Sequence, residues 1–379
     1  MRGRPHGLVL FGLLWRSMSD FSIDELVIPA TPHAPSWPDF VAVAALRNLV
    51  EAEGFGTNAL NYSAAELLPG WLNPKYDPKR MFVARVEGTV VARATYETLL
   101  DANDDHAWLG VQVLPAWRRC GIGTALADRV EHLVGTENRH ELIVYTVSAD
   151  TPGERLTAPT GFGSVPQDNA EVRFLLARGY RLEQVERGSR LALPADEGVI
   201  RRFQADAAAH AGDDDYTVHY WSAGTPPRWR DDLAVPYTRM STDAPTAGLT
   251  EPEDVWTADR LVDEETSRGS SPRRMLTAAA LHEPSGHLVA FTQLSVPAER
   301  ERSVSQEDTL VLREHRGHRL GMLLKTANLE YLAQESPGHP SVTTFNAEEN
   351  RHMLVVNEAL GFVLMGSEGA WKRVVPAEK

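Results

Sequence analysis

The chain has 379 residues, of which 42% are hydrophobic and 24% charged, and its formal net charge is −14. This length predicts two domains, and the composition is that of a globular chain rather than a disordered one. The negative charge argues against a nucleic-acid partner and favours a cationic small substrate.

The N-terminus, MRGRPHGLVLFGLLWRS, joins a basic start to a short apolar run at Gly7–Trp15. The run is too short to span a membrane, and we expect no membrane partner. Its pattern is that of a signal peptide, but no small-residue cleavage site follows it. Because MSDFSIDELVIPA from Met18 reads like a natural protein start, we expect residues 1–17 to be an N-terminal extension, either an over-extended gene start or a loose tail.

Strands and helices then alternate along the first half. MFVARVEG and TVVARATYETL predict two strands around a turn at Glu87–Gly88. The strand WLGVQVL enters the turn PAWRRCGIG, and TALADRVEHLV has the apolar spacing of an amphipathic helix. After the strand ELIVYTV, the Gly-, Pro- and Thr-rich segment Asp150–Gln167 predicts a long loop, and the helix that follows ends at Gly179.

The same order recurs in the second half. VLPAWRRCGIGTAL aligns without gaps with VLREHRGHRLGMLL, so that Arg118 matches Arg316. Upstream, Gly88 matches Gly286 at the same separation of 198 residues (316 − 118 and 286 − 88). Two matches at one offset indicate an internal duplication.

The boundary between the halves falls after RLALP, which ends at Pro194. The next segment, ADEGVIRRFQADAAAHAG, predicts a linking helix that ends near Gly212, and YTVHYWSAG opens the second half as a strand. We therefore expect an N-terminal domain at residues 18–195, a linker at 196–214 and a C-terminal domain at 215–379.

The first glycine-rich turn has the features of an anion site. A strand that turns into a helix leaves backbone N–H groups free at the positive end of the helix dipole. Gly121 and Gly123 carry no Cβ that would keep a ligand away, and Arg118 and Arg119 add positive charge. A diphosphate is the expected ligand, although neither GxxxxGK[ST] nor a full GxGxxG is present. The alternative is an ordinary strand–helix connection.

The segments V-x-V-x-P before this turn, R-x-x-G-x-G within it, and the later DNAEVRFLLARGY and NRHMLVVNEALGF resemble the GNAT N-acetyltransferase superfamily. The resemblance implies an α/β fold of two tandem GNAT-type acetyltransferase domains, each a mixed twisted sheet flanked by helices. This architecture is similar to that of mycothiol synthase, although no feature points to that enzyme's substrate. In the superfamily the turn binds the pyrophosphate of acetyl-coenzyme A, so acetyl-CoA is the implied cofactor.

The resemblance assigns cofactor-binding residues to both halves. In the first half these are Val111, Val113, Arg118, Arg119, Cys120, Gly121, Ile122, Gly123 and Thr124. In the second half these are Leu310, Leu312, Arg316, Gly317, His318, Arg319, Leu320, Gly321, Met322, Asn346 and Asn350.

The second turn departs from the family pattern. Arg319 stands where the first turn has Gly121, and Arg313 replaces Pro115. A side chain at position 319 either narrows the approach of a ligand to the backbone or binds phosphate itself. Cys120 lies in the first turn and is expected to be a small filler, because no partner histidine is indicated.

Acetyl transfer to an amine needs a base, and the resemblance places it on or near the strand before the turn. Glu307 and Asp308 are the candidates, and strict alternation puts Glu307 on the face of Thr309 and Asp308 on the opposite face. A solvated strand start is the alternative explanation for both carboxylates. The corresponding first-half segment, AWLGV, has no carboxylate.

Many family members carry an acid tyrosine four residues before the closing glycine. Here that position is Leu175 in the first half and Asn357 in the second. A thiol has a pKa near ~8.5, so its departure needs less help than that of an alkoxide. Asn357 is taken as a catalytic candidate that hydrogen-bonds the sulfur, with helix capping as the alternative role for Asn357 and Asn350.

These features predict a cytoplasmic N-acetyltransferase that moves an acetyl group from acetyl-CoA to an amine of a small molecule. A single cysteine fits a reducing compartment and excludes an internal disulfide framework, and no metal-binding histidine motif is present. We expect the second half to react and the first to bind coenzyme A or to serve as a scaffold. The alternatives are a non-catalytic acyl-CoA sensor and a protein N-acetyltransferase.

Overall fold

In the computed structural model, residues 20–100, 105–212, 215–249 and 252–375 are described, so the predicted N-terminal extension lies outside them. The strands are β1 Ser22–Glu25, β2 Lys79–Val86, β3 Thr89–Glu97, β4 His106–Val113, β5 Glu141–Ser148, β6 Arg155–Thr157, β7 Ser164–Pro166, β8 Arg181–Ala192, β9 Tyr216–Ser222, β10 Arg274–His282, β11 His287–Val296, β12 Val304–Val311, β13 Ser341–Ala347 and β14 Val363–Val374. The α-helices are α1 Trp37–Phe55, α2 Ala64–Leu72, α3 Ile122–Thr136, α4 Ala170–Ala177, α5 Glu197–Ala211, α6 Arg230–Asp243, α7 Ala258–Arg268, α8 Leu320–Glu335 and α9 Arg351–Leu360.

Twelve of these strands form one sheet in the order β1-β2-β3-β4-β5-β14-β8-β13-β12-β11-β10-β9. Only the β4–β5 and β12–β13 pairs are parallel, and the other ladders are antiparallel. Counted from one end, the sheet has five strands of the first half followed by β14 of the second. Counted from the other end, it has five strands of the second half followed by β8 of the first, as the internal duplication predicts. The α/β fold and its tandem plan are therefore confirmed.

The two halves exchange their last strands. β14, from the end of the second half, lies between β5 and β8 of the first, and β8 pairs with β13 of the second half. Glu186 on β8 is paired directly with Glu368 on β14. The two are counterparts, because Glu186 follows Gly179 and Glu368 follows Gly361 by the same seven residues (186 − 179 and 368 − 361). The sheet is thus continuous, and the domain limits expected from the sequence remain a prediction.

Alternating side chains on the strands place helices on both faces of the sheet. On β2, Phe82 and Ala84 belong to the core that includes α3, whereas Met81 and Val83 belong to the core formed with α1 and α2. This period of two follows from the pleat of a strand. The sheet therefore has one layer of helices on each side.

The predicted linking helix is present as α5, which ends at Ala211 with Gly212 as its C-cap. Its Ala207 and Ala211 pack against Leu320 and Leu323 of α8, so α8 is covered on its outer side. Among the helices of the described ranges, none combines the length and the apolar character needed to cross a bilayer.

The segment Asp150–Gln167, predicted as a long loop, contains a short hairpin of β6 and β7. Ala158 and Val165 are buried in the first-half core, which gives this segment an anchor on the sheet. Gly163 has a φ of +70°, and a Cβ there would lie 2.6 Å from Val185. The glycines that suggested a loop are therefore needed for a close approach to β8.

Candidate active site

Each half has an opening in the sheet where two parallel strands separate. The pairing of β4 with β5 ends at Trp108 and Ile143, and that of β12 with β13 ends at Ser305 and Thr343. Beyond these pairs, strand-edge N–H and C=O groups face the gap and are available to a ligand. Four of the predicted cofactor-binding residues lie beyond the last parallel residue pairs, on β4 and β12 or directly after them. These are Val111, Val113, Leu310 and Leu312.

The first glycine-rich turn has the predicted geometry of an anion site. Gly121 precedes α3 with a φ of +84°, and no atom lies within 4 Å of the position a Cβ would take. The first helical N–H bond runs from Ala125 to the Gly121 carbonyl at 3.0 Å. The N–H groups of the first turn, those of Ile122, Gly123 and Thr124, therefore have no partner within the helix and face an incoming anion.

The second turn keeps this backbone shape with different residues. Arg319 precedes α8 with a φ of +56°, and Leu323 donates to its carbonyl at 3.0 Å. The other left-handed position of each turn is Arg119 in the first half and Gly317 in the second. Of the two left-handed positions in each turn, one is a glycine and the other an arginine, and their order along the chain is reversed between the halves. A left-handed arginine costs about 1–2 kcal/mol of backbone strain. The second-half N–H groups left free are those of Leu320, Gly321 and Met322.

Three arginines of the turns are paired with carboxylates of the protein. Arg118 pairs with Glu53 at the end of α1 and donates to the Val113 carbonyl at 3.1 Å. The corresponding Arg316 pairs with Asp243 at the end of α6, at 2.8 Å. Each guanidinium therefore joins the end of a helix to the turn. Arg319 forms a comparable pair with Asp206 on α5.

The remaining turn residues, Cys120 and His318, occupy equivalent positions. The Cys120 Sγ lies 3.5 Å from the Arg118 carbonyl and the side chain is partly buried, as expected for a filler. The His318 ring packs against Tyr216, with 5.4 Å between ring centres.

The asparagines of the second half have separate roles. Asn350 accepts a hydrogen bond from the Met353 N–H at 3.3 Å and caps α9, which was the alternative role. Asn357 donates to the Asn346 Oδ1 at 2.7 Å, and its own buried Oδ1 has no hydrogen-bond partner within the described residues. A buried acceptor without a donor is costly and marks a place where a ligand donor fits.

The first half contains a cavity of about 1210 Å³ that runs from the turn into the gap between β4 and β5. Its cofactor-side lining includes Arg119, Gly121, Gly123, Thr124, Ala127, Asn169 and Leu175. A diphosphate fits the free N–H groups of the turn, and a flexible amide-bearing arm fits the unpaired strand edges. The residues present therefore fit a coenzyme A thioester.

The sequence-based reasoning missed a polar cluster on the α1 side of this cavity. Glu51 accepts from the Gln112 Nε2 at 2.8 Å, and Arg93 donates to the Gln112 Oε1 at 2.6 Å. Burial lowers the pKa of Arg93 to about 10. Glu97, Trp108 and Tyr145 also line this side. The sequence pattern R-x-T-x-E along β3 could have predicted this cluster, because it places three polar side chains on one face of the strand.

The strand β12 carries a β-bulge that β4 lacks. Gln306 pairs with Leu294 and Thr309 with Thr292, so Glu307 and Asp308 together face the single residue Gln293 of β11. The pairing of β4 with β3 is regular throughout. A bulge disturbs strand alternation, so the strict alternation on which the predicted opposite faces of Glu307 and Asp308 depended does not hold here.

Both bulge carboxylates have raised proton affinity. Burial raises the pKa of Asp308, and burial together with the charge of Asp308 raises that of Glu307, while the nearby Arg268 opposes both shifts. The Glu307 side chain is exposed to solvent, and Asp308 is half-buried. β12 already begins at Val304, so both carboxylates lie within the strand and not at its start.

Residues of the first half form part of the wall near this bulge. The Tyr62 hydroxyl lies 3.1 Å from the Ser305 Oγ, and Arg273 donates to the same oxygen at 3.3 Å. Glu66 on α2, whose side chain is fully buried, pairs with Arg273 at 3.1 Å and with Arg302 at 2.8 Å. The second-half site is therefore built by both halves.

Comparisons with known proteins agree with this geometry. Residues 47–162 match the model of the Acetyltransferase (GNAT) family, and no curated protein sequence matches the chain. A tandem GNAT protein from the clavulanic acid biosynthesis pathway, solved without AcCoA, is 26% identical, with a TM-score of 0.68 over 95% of this chain and 100% of its own.

Two further solved structures share the fold at 16% identity. One is a GCN5-related N-acetyltransferase from Sphaerobacter thermophilus, with a TM-score of 0.58 over 95% of this chain and 97% of its own. The other is a GCN5-related glucosamine N-acetyltransferase region of a fungal multi-domain GH3 β-N-acetylglucosaminidase, with a TM-score of 0.58 over 94% of this chain and 38% of its own.

Proposed function

We propose that the chain transfers an acetyl group from acetyl-CoA to an amine of a small molecule. Residues 47–162 match the GNAT acetyltransferase family, and the chain has the fold of a tandem GNAT protein, so it is an acyltransferase. The observation that carries the proposal is the bulge of β12, which brings two carboxylates of raised pKa to the gap between parallel strands. A cytoplasmic location belongs to the same proposal, because a single cysteine fits a reducing compartment.

Acetyl-CoA supplies an acetyl group activated as a thioester. The chain's own residues would hold it at the turns, through the free N–H groups after Gly121 and Arg319, and along the open edges of β4 and β12. The proposed base is Glu307, which accepts the proton of the attacking amine at a carboxylate oxygen. Burial and the charge of Asp308 beside it raise the pKa of Glu307, which makes its carboxylate a stronger base than that of an ordinary glutamate.

Substitution of Gly121 by aspartate is expected to weaken coenzyme A binding at the first turn. The new carboxylate would lie against the N–H groups that bind the diphosphate, and like charges repel. Isothermal titration calorimetry on the whole chain measures this, since β14 completes the sheet of the first half. Gly121→Asn is the matched control, because it has nearly the same shape without the charge. Equal affinity of the two variants would remove the turn from the cofactor site.

The reaction itself is tested by a thiol-release screen with acetyl-CoA and a panel of small amines and peptides. Release that depends on a small amine supports the proposal. Release with peptides alone would identify a protein N-acetyltransferase instead. Coenzyme A binding without release for any acceptor would favour a non-catalytic sensor.

A further inference from the structure

Arg93 and Glu51 are oppositely charged side chains that line the first-half cavity without pairing with each other. The Arg93 Nε donates to the Gln112 Oε1 at 2.6 Å, and the Gln112 Nε2 donates to the Glu51 Oε1 at 2.8 Å. Within the part of the chain that the structure describes, neither charged group has an ion-pair partner. The amide of Gln112 therefore holds the two charges apart.

Both charged groups keep atoms that are available to a ligand. The two terminal nitrogens of Arg93 and the second carboxylate oxygen of Glu51 have no hydrogen-bond partner among the described residues, and they are accessible from the cavity. Burial and the charge of Arg47 lower the pKa of Arg93 to about 10, so the guanidinium is still charged at neutral pH. An unpaired charge in such surroundings is costly, because its desolvation is not offset. A ligand that carries both a negative and a positive group would supply the two missing partners.

The other two carboxylates on the α1 side of the cavity are already paired with cations. Glu97 contacts Lys79 at 3.0 Å, and Glu53 contacts Arg118. Among the described residues on this side, Glu51 is therefore the carboxylate that is left for a cationic group of a ligand.

The surface beside Arg93 and Gln112 leaves room for a small molecule. The next residue pair along β3 and β4 joins Thr95 to Gly110, and a Cβ at Gly110 would lie 2.6 Å from the Thr95 Oγ1. The glycine thus keeps the surface low at this point. Trp108 lies one residue pair farther along β4 and lines the same cavity, so it offers an apolar wall to the rest of a ligand.

We propose that the first-half cavity binds an α-amino acid, with its carboxylate on the guanidinium of Arg93 and its ammonium on the carboxylate of Glu51. An α-amino acid carries both charged groups on one carbon atom, so it presents them over a span similar to that of the Gln112 amide. Arginine binds carboxylates through two parallel N–H bonds, and the terminal nitrogens of Arg93 are available to form them. The inference goes beyond the proposed function, whose reacting carboxylates lie in the second half.

Isothermal titration calorimetry on the whole chain, without acetyl-CoA, tests this site with the twenty common amino acids as probes. The amino acid that binds most tightly is then compared with the amine that lacks its carboxylate and the acid that lacks its amine, as leucine is with 3-methylbutylamine and 4-methylpentanoate. Each of the two should bind roughly 10–100-fold more weakly, because one charge-assisted contact is lost. No binding of any amino acid, or equal binding of the amine or of the acid, overturns the proposal.

Two variants that each remove one charge should separate the two contacts. Arg93→Gln should weaken binding of the amino acid and of the acid by roughly 10–100-fold without weakening that of the amine. Glu51→Gln should weaken binding of the amino acid and of the amine without weakening that of the acid. Misfolding would weaken all three probes alike, so this crossed pattern identifies the contacts. Unchanged affinity for the amino acid in either variant contradicts the proposal.

Gln112→Glu tests the same contact with the arginine in place. It keeps the shape of the side chain and sets a carboxylate of the protein against Arg93, so it should weaken binding of the amino acid and of the acid as Arg93→Gln does. Retained affinity for both would overturn the assignment even if Arg93→Gln does not fold. Arg85→Gln is the matched control, because Arg85 pairs with Asp39 at 2.7 Å outside the cavity, and it should leave all three affinities unchanged.

These binding measurements are separate from the test of the reaction. If no amine gives thiol release, the proposed function fails, while calorimetry still decides whether the cavity holds an amino acid. If simple amines are acetylated and no amino acid binds, the proposed function stands and the amino-acid site is lost.

Discussion

Replacing Glu307 by glutamine is expected to lower turnover by about 10²–10⁴-fold at neutral pH while coenzyme A binding stays nearly unchanged. Glutamine has the same shape but cannot accept a proton from the amine. The loss should shrink at high pH, where the free amine needs no base. Steady-state kinetics and calorimetry on the same variant separate the two effects.

The controls for Glu307 follow from the bulge. Asp308→Asn should also lower turnover, by less than Glu307→Gln, because Asp308 contributes to the raised pKa of Glu307. Arg118→Ala should spare turnover if the first half is a scaffold, since Arg118 binds Glu53 there. Full activity of Glu307→Gln together with inactive Arg118→Ala would move the reaction to the first half.

Replacing Glu66 by alanine is expected to lower the free energy of unfolding by about 3–5 kcal/mol, because it leaves the buried Arg273 without a carboxylate partner among the described residues and takes one of two carboxylates from Arg302. The Glu66 side chain is fully enclosed between Arg273 and Arg302. Urea unfolding followed by circular dichroism measures the change. Glu25→Ala is the matched control, since the half-exposed pair of Glu25 with Arg80 is worth about 0–1 kcal/mol. Equal losses in both variants would contradict the role given to burial.

The same carboxylate gives a pH dependence. Burial alone would raise the pKa of Glu66, but the hydrogen bonds from Ser63 and Arg302 and the charge of Arg273 outweigh it and lower the pKa. A lowered carboxylate pKa contributes stability above the unfolded pKa, near ~4.3, and that stability is lost as pH falls through the folded value. The free energy of unfolding of the wild type should therefore fall more steeply than that of Glu66→Ala as the pH is lowered below about 4.3.

Local patterns in the sequence were sufficient for the parts of the fold that depend on neighbouring residues. The strands around Glu87–Gly88, the helices after both turns and the linking helix to Gly212 are all present. The left-handed backbone at Gly121 follows from the glycine itself, but the same conformation at Arg319 does not. There the duplicated turn, rather than the residue type, determines the backbone.

Features that depend on distant pairing were not predictable. Nothing in β8 or β14 indicates which strand each will pair with, because period-two alternation is satisfied by either partner. The bulge at Glu307 depends on the register with β11. Lys325 reads as a surface position on an isolated helix, and only the packing of α8 against its neighbours buries it. The polar cluster around Arg93 differs from these features, because the alternation of polar residues along β3 was sufficient to predict it from the sequence.

The exchange of last strands couples the unfolding of the two halves. β5 cannot complete its pairing until Ser367 reaches Ser148, 219 residues earlier (367 − 148). Contacts of such long separation slow folding, because the chain between them must be ordered first. Loss of either half also removes a central strand from the other, so heating should give a single calorimetric transition instead of two. After a proteolytic cut near Pro194, the two halves should stay associated through the hydrogen bonds of β8 and β14, although no covalent bond would join them.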